Sequence, residues 1–183
     1  MHEFFNNHQG TEFLDVSISK DNEERISFRT KYHFLAGKTI IRRILRKFIL
    51  IVEQVCKIHR RYDVKMYMGC NWCSVTDDFA RYLVSQTETI LSLFKYSSCA
   101  DELYKQTVLM NSDFKNKRFL GSDKNTPSLR EIDWNRGSPY TWRDGDYTYL
   151  YNSSNLFARK FSSQYEGIID KILDYVGISM SDK

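Results

Sequence analysis

At 183 residues the chain is long enough for one domain with a substantial core. Its 42% hydrophobic and 15% aromatic residues are those of a folded globular protein, and a net charge of +4 with a pI near 8.8 is too mild to argue for nucleic acid. Four cysteines (Cys56, Cys70, Cys73 and Cys99) are too few for a disulfide scaffold, and no apolar run reaches the length that spans a bilayer.

Residues 1–7 read as the closing turns of a helix broken at Gly10, and residues 12–18 alternate apolar and polar side chains as a strand does. Residues 25–35 mix Arg25, Arg29 and Lys31 with Phe28, Tyr32, His33 and Phe34. A half-buried strand or helix with a basic outer face is the preferred reading of that segment, and the lining of a diphosphate or sugar pocket is the other.

The clearest helix covers residues 38–61. Ile41, Ile44, Leu45, Phe48, Val52 and Val55 recur at helical spacing and make one apolar face. Lys38, Arg42, Arg43, Arg46, Lys47, Lys57, Arg60 and Arg61 stand around that face, against the single acid Glu53. A helix packed into the core through its apolar side, with a solvated basic face, is the preferred reading. Docking on an anionic membrane surface is the second.

Residues 68–112 hold the densest set of signals: a short strand, a tight turn at Gly69, a helix, a loop and a second helix led by two acids. Cys70-Asn71-Trp72-Cys73 fits C-x-x-C, yet a zinc site needs about four ligands and no second cysteine pair or spaced histidine pair is present in the sequence. A thioredoxin-like site would place the motif at a helix start after an early strand. Thr76 is a candidate N-cap, with Asp77 and Asp78 at the positive end of the helix dipole. Asp101 is a candidate cap for the next helix, which would put Glu102 in its first turn. A carboxylate beside Trp72 and a glycine turn suits a general base that deprotonates a hydroxyl. The plainer reading is that both acids satisfy the helix dipole.

Residues 114–125, with Lys115, Lys117, Arg118 and Lys124, read as a polar surface loop over a site. A strand is expected at 129–134, turns at Gly137-Ser138-Pro139 and Asp144-Gly145-Asp146, and a short aromatic helix at 147–157. Residues 158–161 then form a strand or extended edge, and residues 164–176 a closing amphipathic helix that buries Ile168, Ile169, Ile172, Leu173 and Val176.

The succession of Gly69-x-x-Trp72, Asp101-Glu102, Gln106-Thr107 and Asn111-Ser112, followed by Arg130-Glu131-Ile132-Asp133-Trp134, Gly137-Ser138-Pro139 and Leu156-Phe157-Ala158-Arg159-Lys160-Phe161, resembles the core-2/I-branching glycosyltransferase family. That family includes β-1,6-N-acetylglucosaminyltransferases and peptide O-xylosyltransferases. The resemblance implies an α/β fold, the C-terminal half of a GT-A-type domain with a mixed sheet flanked by helices. Residues 1–183 would be one partial, acceptor-side domain, and the nucleotide-binding half would be absent.

The resemblance further implies an inverting, metal-independent transfer from a UDP-sugar to a glycan hydroxyl. UDP-N-acetylglucosamine is the first expectation for the donor and UDP-xylose the second. Glu102 matches the catalytic base and Lys160 the diphosphate ligand. Arg143 is nearest in register for an assisting arginine, with Arg136 and Arg130 as alternatives. Trp134 matches an acceptor-stacking tryptophan, and a core tryptophan at a strand end is an equal reading of it. Trp72 and Asp101 fall on the acceptor side.

No cofactor or metal is expected. Asp144-Gly145-Asp146 fits a metal-binding Asp-x-Asp string but comes after the glycine-proline turn, where such motifs do not usually stand. The partners implied are the UDP-sugar, the glycan acceptor and a separate N-terminal half, with peripheral contact to an anionic membrane and no nucleic acid. The expected location is cytoplasmic, at the inner membrane face. The competing readings are a non-catalytic remnant or binding module of the family and a membrane-surface adaptor built on helix 38–61.

Overall fold

The computed structural model describes residues 1–17, 20–31, 39–58, 60 and 62–177. They form an α/β chain that divides into two compact units, one of His8–Phe119 and one of Met1–Asn7 with Leu120–Lys183. In chain order the regular elements are α1 His2–Asn7, β1 Phe13–Leu14, α2 Lys20–Arg29, α3 Ile40–Val55, β2 Cys73–Ser74, α4 Asp77–Ser85, α5 Thr87–Phe94, α6 Tyr104–Met110, β3 Arg130–Ile132, α7 Tyr147–Tyr151, β4 Phe157–Arg159 and α8 Glu166–Tyr175. Among the described residues the strands make two separate two-stranded sheets rather than the single mixed sheet expected. None of the described helices is long and apolar enough to cross a membrane.

In the His8–Phe119 unit, β1 runs antiparallel to β2 with Phe13 opposite Ser74 and Leu14 opposite Cys73. Single bridges join Ser17 to Met68 and Glu12 to Arg118 on either side of that ladder. The strand expected over 12–18 is therefore regular only over Phe13–Leu14, and Ile18 lies outside the described residues. Leu14, Phe79 and Leu109 are fully buried together, with Cys73, Tyr82 and Phe114 packed around them. Met68, Phe94 and Leu103 make a second cluster with Ile26 and Ile90. Each such side chain removed from water contributes about 1.5–3 kcal/mol.

Thr76 caps α4 as its sequence suggests: its Oγ accepts from the Phe79 amide at 3.1 Å. The fully buried Glu12 carboxylate accepts in turn from the Thr76 amide, at 2.9 Å, and from its hydroxyl. Residues 114–125 do not begin as a surface loop. Asp113–Lys117 form a 3-10 turn, and the Phe114 ring stands 5.1 Å from Phe79 and 5.3 Å from Tyr82. A large apolar ring in a basic stretch finds the core while its charged neighbours stay in water.

Of the mixed segment 25–35, the part up to Arg29 is helical, and residues 32–38 lie outside the described residues. The helix expected over 38–61 is regular over Ile40–Val55, with Lys38, His59 and Arg61 also outside. Its packing is the reverse of the preferred reading. Ile41 is 67% exposed, Phe48 63% and Val55 75%, whereas Glu53 is buried and Arg46, Ile49 and Leu50 are half-buried. Periodicity shows that a helix has an apolar face, not which face meets the protein.

In the other unit, β3 and β4 pair in parallel, with Arg130 opposite Phe157 and Ile132 opposite Arg159. Trp142, Leu129 and Ile168 are fully buried. The helix expected over 147–157 stops at Tyr151, because the Asn155 carboxamide instead accepts from the Thr126 amide at 2.9 Å and turns the chain into β4. α8 is amphipathic as expected, but only Ile168 of its five apolar positions is fully enclosed; Val176 is 55% exposed.

Candidate active site

Gly69 sets the geometry around Glu102. A Cβ at this position would lie 2.0 Å from the Asp15 carbonyl oxygen, so only glycine lets the two backbones pass. The Gly69 amide donates to the Glu102 carbonyl at 3.0 Å. α6 then grips the preceding and following residues. The Gln106 carboxamide donates to the Cys70 carbonyl at 2.9 Å, and the Lys105 ammonium donates to the Asn71 carbonyl at 2.8 Å. Thr107 Oγ accepts from the Tyr67 amide at 3.0 Å, and the Asn111 carboxamide donates to the Lys65 carbonyl at 2.8 Å. Gln106, Thr107 and Asn111 thus hold the strand and turn beside Glu102, a positioning role that their place in the motif does not reveal.

Glu102 closes a 3-10 turn, Ala100–Glu102, that starts from Cys99 in the left-handed region (φ 51°). Asp101 is exposed within this turn and caps neither it nor α6, contrary to expectation. The 3-10 turn intervenes between Asp101 and α6, so the residue lacks the extended backbone an N-cap needs. Burial pushes the Tyr104 hydroxyl above its usual range, with Cys73 and Asp101 adding to the effect.

The Glu102 carboxylate forms an ion pair through Oε2 with Arg29 at the end of α2, and its side chain is 33% exposed. Among the described residues Oε1 has no hydrogen-bond partner. One oxygen is therefore fixed and the other is free to accept a proton from a bound hydroxyl. The sequence reading does not assign Arg29 to this carboxylate: there it belongs to a segment read as a half-buried element with a basic outer face or, second, as the lining of a diphosphate or sugar pocket. Trp72 is 48% exposed in the same unit. Neither Cys70 nor Cys73 is in a disulfide, and the described residues hold no group of three or more His, Cys, Asp or Glu that could bind a metal.

The remaining candidates lie in the other unit. The Trp142 amide donates to the Lys160 carbonyl at 2.8 Å, and the Trp142 indole donates to the Arg159 carbonyl at 2.8 Å. This pairing seats the backbone of Arg143 one residue from that of Lys160. Both side chains are exposed, and among the described residues neither makes an ion pair. The Arg143 guanidinium lies 5.6 Å from the Tyr140 ring centroid and 5.7 Å from that of Tyr165.

Arg136 is differently placed. It pairs with Asp133 and, at 2.8 Å, with Asp146, and its guanidinium lies 4.1 Å from the Tyr140 ring centroid. The hydrogen bonds it donates to the Asp146 and Asp133 carboxylates raise its pKa further. A guanidinium committed to two carboxylates has little left for a ligand. Arg130 donates to the Ser128 carbonyl and lies 4.7 Å from the Phe157 ring centroid. Of the three arginines considered, Arg143 is the one that is exposed and makes no ion pair among the described residues.

The carboxylates of Asp144-Gly145-Asp146 are both occupied. Asp144 accepts from the Ile168 amide at 2.8 Å and so caps the start of α8. Asp146 accepts from Arg136, from the Arg143 amide at 2.9 Å and from the Tyr140 hydroxyl at 3.1 Å. Burial opposes ionisation of Asp146, but these hydrogen bonds outweigh it and hold the carboxyl below its usual range. The tryptophans also separate here: Trp142 is the core residue, while Trp134 is 58% exposed. The core reading of Trp134 is thereby excluded.

A family model described as Core-2/I-Branching enzyme matches residues 3–157. The chain therefore belongs to the core-2/I-branching glycosyltransferase family, an enzyme family by descent. The match includes Trp72, Asp101, Glu102, Trp134, Arg136 and Arg143, and it ends before Lys160. Comparison with curated proteins finds no match.

Proposed function

We propose that the chain takes part in an inverting, metal-independent glycosyl transfer of the GT-A type, from a UDP-sugar to a glycan hydroxyl, with UDP-N-acetylglucosamine as first donor and UDP-xylose as second. The observation that carries this reading is the pair Lys160 and Arg143: two exposed cations on backbone segments joined by the bond from the Trp142 amide to the Lys160 carbonyl, neither with an ion-pair partner among the described residues. Two such charges suit a diphosphate leaving group, whose developing negative charge must be stabilised as the bond to the sugar breaks.

In the proposed step Glu102 Oε1 accepts the proton of the acceptor hydroxyl. The hydroxyl oxygen bonds to the anomeric carbon as the bond from that carbon to the diphosphate oxygen breaks. The family resemblance, not the placement of the two units, assigns Lys160 and Arg143 to the charge of the departing UDP, and the anomeric configuration inverts. Arg29 keeps the base oriented through Oε2. The exposed rings of Trp134 and Trp72 offer apolar faces to the acceptor, and Asp101 offers a hydrogen-bond acceptor.

Calorimetric titration of the purified chain with UDP and with uridine, in EDTA, tests the reading. UDP should bind weakly and uridine hardly at all. Lys160→Ala should remove the difference, and added salt should weaken the UDP contact because exposed charges are screened. Binding that needs manganese and survives Lys160→Ala would move the argument to Asp144 and Asp146 and sink the metal-free account.

A further inference from the structure

α3 carries a surface that sugar transfer does not use. Its 16 residues would span about 24 Å along the axis at 1.5 Å per residue, too short to cross the roughly 30 Å hydrocarbon core. Ile40, Ile41, Ile44, Phe48, Ile51 and Val55 are all exposed. At 100° per residue they fall, with Leu45 and Val52, on one arc about 140° wide. The opposite arc holds Arg42, Arg43, Arg46 and Lys47, of which Arg42, Arg43 and Lys47 are exposed. Lys47 borders one edge of the apolar arc, and Arg42 stands beyond the other. The one acid of the helix, Glu53, is buried away from this surface.

We propose that α3 is an interfacial helix that lies flat on an anionic lipid bilayer, with its apolar arc among the acyl chains and its flanking basic residues at the headgroups. The proposal is independent of the transfer chemistry. Charge selects the occupant. A large apolar arc between exposed cations, with a large aromatic ring near its centre, has the composition of helices that lie in the membrane interface. Long Arg and Lys stems can keep their charges at headgroup level while the neighbouring apolar residues are submerged. A second copy of this chain would meet the arc with another of the same kind, and an arc of this width exceeds a coiled-coil seam. It would also supply only about two heptads, fewer than the three or four that sustain such pairing.

Flotation of the full chain with vesicles tests this, comparing pure phosphatidylcholine with phosphatidylcholine containing about 30% phosphatidylserine, at low salt and at about 0.5 M salt. The chain should float with the phosphatidylserine vesicles at low salt and at least about tenfold less with neutral ones. Each basic residue near an anionic surface adds about fivefold to partitioning, so Arg42→Gln with Lys47→Gln should lower it about 25-fold. Phe48→Asp should abolish flotation while leaving the far-ultraviolet circular dichroism unchanged, because Phe48 is 63% exposed. Equal flotation with neutral vesicles, flotation that survives Phe48→Asp, or no flotation at all would each overturn the proposal. So would sedimentation showing a dimer that Phe48→Asp dissolves and that phosphatidylserine vesicles leave intact.

Discussion

Replacing Gly69 by alanine places a Cβ 2.0 Å from the Asp15 carbonyl oxygen, 2.8 Å from its carbon and 3.2 Å from Gln106 Nε2. Ordinary contact begins at 3.4 Å, so the Asp15 backbone must retreat by more than an ångström. Retreat on that scale pulls apart the Ser17–Met68 bridge and the bond from Gln106 to the Cys70 carbonyl, each 2.9 Å long. Overpacking costs about 1–3 kcal/mol and each lost hydrogen bond about 1 kcal/mol, which together give about 3–5 kcal/mol. For a unit of this size that is about 15 °C in the midpoint of thermal unfolding. Gly145→Ala, where nothing lies within 4 Å, should be nearly silent, and Gly10→Ala should cost only the about 1–2 kcal/mol of its φ of +73°. Thermal and urea unfolding of the three variants checks the ranking. A loss below about 1 kcal/mol for Gly69→Ala would show that the turn beside Glu102 is not held by the close approach described.

In a transfer-competent assembly, Glu102→Gln should lower the rate by about a hundredfold to ten-thousandfold with donor binding nearly intact, as expected when a general base is lost. Arg29→Ala should lower the turnover rate more than it changes acceptor affinity, because it frees the base without touching substrate; steady-state kinetics separates the two. Asp144→Ala should cost about 1 kcal/mol by uncapping the Ile168 amide, read as a lower unfolding midpoint. Hydrogen bonds from Arg136 and from the Asn135 amide outweigh desolvation and hold the Asp133 carboxyl below its usual range; Asp146 is lowered as well, against its partial burial. Unfolding returns both to ordinary values near 4, so their stabilising effect is full above that range and is lost as pH falls through the lowered folded values. Acid titration of stability should therefore show a limb that Arg136→Gln flattens.

Local rules were legible in the sequence and long-range pairings were not. The Thr76 cap was predicted because a cap needs only a hydroxyl and the amides that follow it. The Asp101 cap failed because the backbone passes Cys99 in the left-handed region and tightens into a 3-10 turn, which no local composition announces. α3 was visible as a helix, but its buried side is chosen by the surroundings, and they took Glu53 and left Phe48 in solvent. The ion pair of Arg29 and Glu102 joins residues 73 apart, beyond the reach of any spacing argument. Among the arginines, sequence register favoured Arg143 and left Arg136 and Arg130 open. The two carboxylates around Arg136, and the Ser128 carbonyl bound by Arg130, separate them.

The most direct test of the metal-free diphosphate site is a crystal structure of the chain soaked with UDP at high concentration, once in EDTA and once in manganese. The account predicts the same pose in both, with the diphosphate oxygens within hydrogen-bond distance of Lys160 Nζ and the Arg143 guanidinium, and with Asp144 still on the Ile168 amide. A diphosphate seen only in manganese, bridged by the metal to Asp144 and Asp146, would contradict it.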